Sequence, residues 1–156
     1  MRLAAILGVV ITVLGSFAFA PTPKNPTMKK LTPVLVVDAI EPCLPFWVDR
    51  LGFTRTIEVP EDDRLGFVAL EKDGVEVMVQ TRSSAVASAP GMEEFPFGGP
   101  THLYIEVSDF DAVDRALEGA EVIVPRRTTS YGATEIVVRE PCGHFIGFAS
   151  MASAAE

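Results

Sequence analysis

The 156 residues contain no G-x-S-x-G nucleophile elbow, no phosphate-binding loop and no dinucleotide fingerprint. The chain offers neither an activated serine nor a backbone cradle for a nucleotide. Positive charge is short: 13 Lys and Arg against 21 Asp and Glu leave a net charge of −8 and an isoelectric point near 4.8. That balance argues against nucleic acid and against an anionic membrane surface as partners. Histidine is limited to His102 and His144, and cysteine to Cys43 and Cys142. Cys43 lies near an expected helix N-terminus, where a thiolate is favoured. No histidine is near it in sequence, however, and Pro42 and Pro45 read as an ordinary packed first turn. The two cysteines could pair in an oxidising compartment. They stand in different halves of the chain, and a bridge needs Cα atoms within about 7 Å, so they are expected to be unpaired.

Hydrophobic residues make up 48% of the chain and charged ones 22%, the balance of one compact globular domain. Met1-Arg2 is followed by an uncharged apolar run over residues 3–20, ending Ala18-Phe19-Ala20. The basic, apolar, small-residue order predicts a secretory signal peptide and an exported protein, periplasmic or secreted. Pro21 disfavours cleavage after Ala20, so the cut is placed after Ala18. Two alternatives stand beside it: an uncleaved membrane anchor through residues 3–20, or a cytoplasmic protein if translation starts at Met28. No cysteine follows the run, so there is no lipoprotein signal. Residues 21–29 hold three prolines and read as an extended linker.

Beyond the linker the chain repeats itself. Leu31–Val37 reads as a strand, Asp38 as a helix cap, Glu41–Leu51 as a helix closed by Gly52. Strands are predicted at Phe53–Val59, Arg64–Glu71 and Val75–Thr81, the last two joined by the Lys72-Asp73-Gly74 turn. The same order returns later. His102–Val107 alternates polar and apolar, Asp109 caps a helix carrying Phe110, Val113, Ala116 and Leu117, and Gly119 ends it. Strands follow at Glu121–Val124, Ala133–Arg139 and His144–Ala149. Aligning Asp38 with Asp109 sets Leu31 opposite His102. Two βαβββ units in one chain is the reading, and such a repeat outweighs any single motif. Residues 83–100 between the units form a Ser, Ala, Gly and Pro-rich linker, long enough to be a functional loop. Met92, Phe95 and Phe97 in it either cover a pocket or tuck under the sheet edge.

LTPVLVVDAIEPCLPFWVDRLGF, HLYIEVSDF and YGATEIVVREPCGHFIGF together resemble the glyoxalase/bleomycin-resistance/dioxygenase group, the vicinal oxygen chelate superfamily. The resemblance runs from about residue 29 to 150. It implies an α+β fold, two βαβββ modules forming a curled mixed sheet around a cup, over residues 30–151, with modules at about 31–82 and 101–150 and a tail at 152–156. Lyases, dioxygenases and drug-sequestering proteins share that fold.

In the metal-dependent relatives four ligands come from symmetric places. Carried over by position, they fall on Leu31, Met78, His102 and Gly147. Only His102 is a usual metal donor there; the Met78 thioether is too soft for the hard or borderline ions such sites use. Zinc wants three or four protein ligands, so no metal and no cofactor is expected. Strand parity places His102, Tyr104, Glu106, Glu76, Gln80 and Phe145 on the concave face, among Leu31, Pro33 and Leu35. His102 and Glu106 stand roughly 13 Å apart along the strand and cannot share one ion. His144 has the opposite parity to Gly147 and is expected on the outer face or in the turn, without chemistry. Phe46 and Trp47 are expected in the core. Tyr131 begins a strand, from which its hydroxyl could reach a ligand.

The reading is a homodimeric protein that binds a small amphipathic molecule without metal, leaning away from an enzyme. The alternatives are a metal-dependent lyase or dioxygenase of the same group with a displaced site, or a structural or dimerisation module whose cup is empty.

Overall fold

The computed structural model describes residues 28–89, 91–94 and 97–151. The apolar run at residues 3–20, the prolines of the tether, Phe95 and the tail at 152–156 lie outside the described residues. Residues from Leu31 onward form one unit.

The first module runs β1 (Val34–Val37), a tight turn of helix at Glu41–Cys43, a wide helix at Pro45–Arg50, then β2 (Thr54–Glu61), β3 (Arg64–Lys72) and β4 (Val75–Thr81). The second runs β5 (His102–Glu106), a helix at Phe110–Ala116, then β6 (Glu121–Thr128), β7 (Ala133–Arg139) and β8 (Phe145–Met151). Each module makes a four-stranded sheet, ordered β1-β4-β3-β2 and β5-β8-β7-β6. The first strand of each pairs parallel with the last, and the remaining pairs are antiparallel. The fold is α+β with curled, unclosed sheets, as the repeat predicted.

Local chemistry explains these elements. Asp73 and Gly74 both take positive φ, 51° and 80°, which is what the tight β3–β4 hairpin demands. Pro60 and Pro125 each sit beside a register shift in an outer strand, where a missing N–H costs least. The helix Pro45–Arg50 is wider than an α-helix: Leu51 N donates to Phe46 O at 3.2 Å, a five-residue span. It carries Phe46 and Trp47 into the core, where the indole meets Phe46 and Phe53 edge-on at 5.5 and 5.2 Å.

One hydrophobic cluster joins the modules, drawing Leu35, Trp47, Val68 and Val79 from the first and Phe110, Val138 and Phe148 from the second. Arg50 donates across the junction to the carbonyls of Ala116 and Glu118 at the end of the second module's helix. A cation there meets otherwise unpaired carbonyls and the negative end of the helix dipole.

Three expectations are corrected. The linker after β4 is not structureless: Arg82–Ser88 is an α-helix, here α1, whose cap is Thr81, accepting from Ser84 N at 3.1 Å. Phe97 lies beneath the Arg82 guanidinium, which is 5.8 Å from the ring centroid, and Arg82 Nη2 donates to Phe97 O at 2.6 Å. The second helix, Phe110–Ala116, becomes α2; its cap is Asp109, as read. Next, Leu35 does not face the cup. It is 2% exposed in the core, while its neighbour Val34 is 46% exposed. Across the parallel pairs Met78 faces Val34 and Gly147 faces Tyr104. Two residues back along each strand, the counterpart of His102 is therefore Thr32, not Leu31. A one-residue slip inverts every side chain of a strand, and aligning the helix caps introduced that slip.

Finally, Cys43 and Cys142 are joined by a disulfide, with Cα atoms 5.5 Å apart. Packing of the two modules brings the end of the first helical turn against the β7–β8 turn, although 99 residues separate the cysteines in sequence. A bridge closing so long a loop contributes about 2–4 kcal/mol in practice. Reduction, or Cys43→Ala, is therefore expected to lower the thermal midpoint by several degrees, read by circular dichroism. An unchanged midpoint in both would show that the bridge does not form.

Candidate functional site

Along β5 the side chains of His102, Tyr104 and Glu106 stand on the exposed face, while Leu103, Ile105 and Val107 pack against the core. Gly147 lies beside this strand on β8 with no side chain of its own. A Cβ there would come 2.9 Å from His102 Nε2 and 3.6 Å from Tyr104 Cδ2. A side chain there would push the imidazole aside, while the phenol ring would be in ordinary contact with it.

Tyr104 reaches across β8 to β7. Its hydroxyl donates to Glu135 Oε1 at 3.2 Å, and the hydroxyl of Tyr131 donates to the same oxygen. Arg127 Nη2 approaches Glu135 Oε2 at 3.4 Å. Glu135 is only 7% exposed, whereas Tyr104 and Tyr131 are 54% and 60% exposed. The arrangement is a carboxylate sunk into the sheet beneath two open aromatic rings. The Tyr131 hydroxyl, with Tyr104 and Arg127 behind it, holds the Glu135 carboxyl below its ordinary pKa against the opposing effect of burial. Desolvation, reinforced by Tyr131 and Glu135, pushes the Tyr104 phenol up to about 12, so it remains a donor at neutral pH.

The other expected residues are dispersed. Phe145 is on the rung of His102 and lies under the Arg139 guanidinium at 5.2 Å. Glu76 and Gln80 belong to the other sheet. Glu76 accepts from the Thr32 hydroxyl at 3.0 Å and Gln80 donates to Ser84 Oγ at 3.2 Å. Glu106 lines a cleft of about 410 Å³ at the module junction, beside Arg50, Leu51, Lys72 and Val113. His144 sits in the turn before β8, as expected, but it is buried there, and its Nδ1 accepts from Thr101 N at 3.1 Å. Glu135 and Arg127 were missed from sequence. The available signal was a lone carboxylate in the apolar strand Ala133–Arg139.

The family-type metal positions do not fit a metal. Leu31 is exposed and precedes β1, Met78 offers a thioether, and Gly147 brings no side-chain donor. Thr32, the structural counterpart of His102, spends its hydroxyl on Glu76. One imidazole remains, too few donors for a divalent ion.

Paired βαβββ sheets of this kind define a recognised class of protein. The family model described as the Glyoxalase/Bleomycin resistance protein/Dioxygenase superfamily matches residues 29–148, and the chain belongs to that family. Among solved structures it is similar to a glyoxalase/bleomycin resistance protein/dioxygenase from Nocardioides, at 23% identity and TM-score 0.63, over 87% of this chain and 90% of that one. TioX from Micromonospora sp. ML1 is similar at 20% identity and TM-score 0.65, over 80% of this chain and 100% of the other. Lactoylglutathione lyase from Agrobacterium tumefaciens follows at 16% identity and TM-score 0.63, over 81% and 96%. At these identities the likeness speaks for the fold. No curated protein matches the chain.

Two outcomes check the site geometry. Ile105→Asp would bury a charge against the core and is expected to unfold the domain, whereas Tyr104→Ala leaves the circular dichroism spectrum native. The reverse result would show the parity of β5 to be wrong. Glu135→Gln tests the carboxylate. Its pKa is lowered in the folded state, so its contribution is present above the unfolded value of 4.5 and fades as pH falls through the folded one. Thermal midpoints of the wild type and Glu135→Gln are expected to differ at pH 7 and to converge in acid below 4.5. A constant difference would refute the assignment.

Proposed function

We propose that the open face of the second sheet binds a small amphipathic molecule, without metal and without catalysis. The observation that carries this reading is the sunken Glu135 carboxylate beneath Tyr104 and Tyr131. Binding faces that are mostly apolar with a few convergent polar groups suit such ligands. The two rings offer apolar area, and Glu135 Oε2, engaged among the described residues by the long contact to Arg127 alone, has room for a donor from the ligand. His102 and Phe145 border the same face. Glu106 stands on the same face, on the rung of Glu135, whereas Glu76 and Gln80, on the other sheet, would join only if a second copy brought another face to this one. That homodimer is part of the reading, and it is supported by the exposed apolar residues Ile57, Val59, Val122 and Ile123 on the outer strands. Export, with removal of the apolar run before the domain, completes it.

The competing reading is a metal-dependent lyase or dioxygenase with a displaced site. The fold likeness to a lactoylglutathione lyase keeps it in view, and the poor donor set at Leu31, Met78 and Gly147 weighs against it. Native mass spectrometry of protein recovered from cell fractions is expected to give a dimer, a shortened N-terminus and no stoichiometric metal. About one ion per chain, lost in His102→Ala, would instead establish the metal enzyme. A thermal-shift screen of amphipathic compounds is expected to yield stabilising ligands by mass action. A hit whose shift survives both Tyr104→Ala and Glu135→Gln would place binding elsewhere.

A further inference from the structure

The sulfur pair at the module junction has a third neighbour. A carboxylate oxygen of Glu140 and the two sulfurs of Cys43 and Cys142 all lie within 4.8 Å of one another. Cys43 and Glu140 are each 1% exposed, and Cys142 is half-buried. The Glu-Pro-Cys-Gly-His turn holds the carboxylate in place: Cys142 N donates to its Oε2 and His144 N to its Oε1, both at 2.9 Å. Gly143, at φ 98°, makes the sharp return that brings those amides round. None of the ion pairs among the described residues involves Glu140.

A buried carboxylate without a lysine or arginine is uncommon, because buried acids are usually paired or coordinate a metal. Here its near neighbours are two sulfurs. Two thiolates and one carboxylate suit zinc and similar borderline ions, which accept sulfur and oxygen together. The Ala39 carbonyl completes the surroundings, with its oxygen 3.7 Å from Cys43 Sγ and 3.6 Å from Cys142 Sγ. A cavity of about 280 Å³ lined by Asp38, Arg82, Cys142 and His144 opens beside Cys142 and provides a way in.

We propose that Cys43, Cys142 and Glu140, once the disulfide is reduced, form a binding site for a zinc-like divalent ion. The junction of the two modules is then closed by a covalent bond under oxidising conditions and by an ion under reducing ones. The chemistry balances. A dithiol reductant supplies two electrons and two protons, becoming a disulfide itself, while the Cys43–Cys142 bond breaks and two thiols form. The incoming ion displaces both thiol protons to solvent and is held by two thiolates and the Glu140 carboxylate, with the Ala39 carbonyl or a water as fourth ligand. This site is separate from the face that carries Tyr104 and Glu135, and its fate does not depend on that reading.

The test uses the full chain, reduced with a phosphine and kept anaerobic, then titrated with cobalt(II) as a spectroscopic stand-in for zinc. The expected result is a thiolate-to-cobalt charge-transfer band that saturates at about one ion per chain and is abolished by added zinc. The oxidised chain shows no band. Cys43→Ser and Cys142→Ser each lose it, and Glu140→Gln requires more cobalt to reach saturation. Circular dichroism runs alongside. If reduction unfolds the chain, zinc is expected to restore the native spectrum. Absence of a band in the folded reduced chain overturns the proposal, as does a band that persists in Cys142→Ser, or failure of zinc to refold an unfolded reduced chain.

Discussion

The period-two alternation of β5 against a core shared by both modules decides which side chains this protein can present. Leu103, Ile105 and Val107 are claimed by the core. With that face settled, His102, Tyr104 and Glu106 have only the other side available. The same constraint acts on β1 and the residues leading into it, where Leu35 and Val37 go inward and Thr32 and Val34 are left on the opposite side. Each candidate residue for ligand binding is thus selected by the burial of its neighbours.

On that platform, glycine and tyrosine divide the work. The bare Cα of Gly147 leaves room for the His102 imidazole over β8, and Tyr104 beside it spans to Glu135 on the next strand. A position that could have supplied a metal ligand supplies room instead. The chain keeps the fold of its family and places a hydrogen-bonded carboxylate beneath aromatic rings on the exposed face. Fold and chemistry are separable, because the sheet requires only the alternation and leaves the exposed residues free to vary.

The junction of the modules obeys a different logic. Apolar packing around Trp47 and Phe148 brings the two halves together, and the polar contacts exploit the nearness that packing creates. Arg50 reaches the end of the partner module's helix, and Cys43 meets Cys142. Neither contact has any local signature in the chain, since each depends on how two independent modules dock.

Local and periodic features were legible in the chain. These include the two βαβββ units, the Asp109 cap, the Asp73-Gly74 hairpin, the parity of β5 and the core positions of Phe46 and Trp47. All follow from spacing, turn chemistry and side-chain type within a few residues. It was less informative where a signal was faint. The helix Arg82–Ser88 has little apolar periodicity and takes its cap from the last residue of a strand, and the β1 register rested on an alignment that one extra residue could shift. The rest was settled by packing alone: that Tyr104 and Arg127 meet at Glu135, that Thr32 is the first module's counterpart of His102, that Glu76 and Gln80 lie on the other sheet, and that the two cysteines touch. These are contacts between strands or modules far apart in the chain, and no local pattern encodes a distance that arises only when two faces pack.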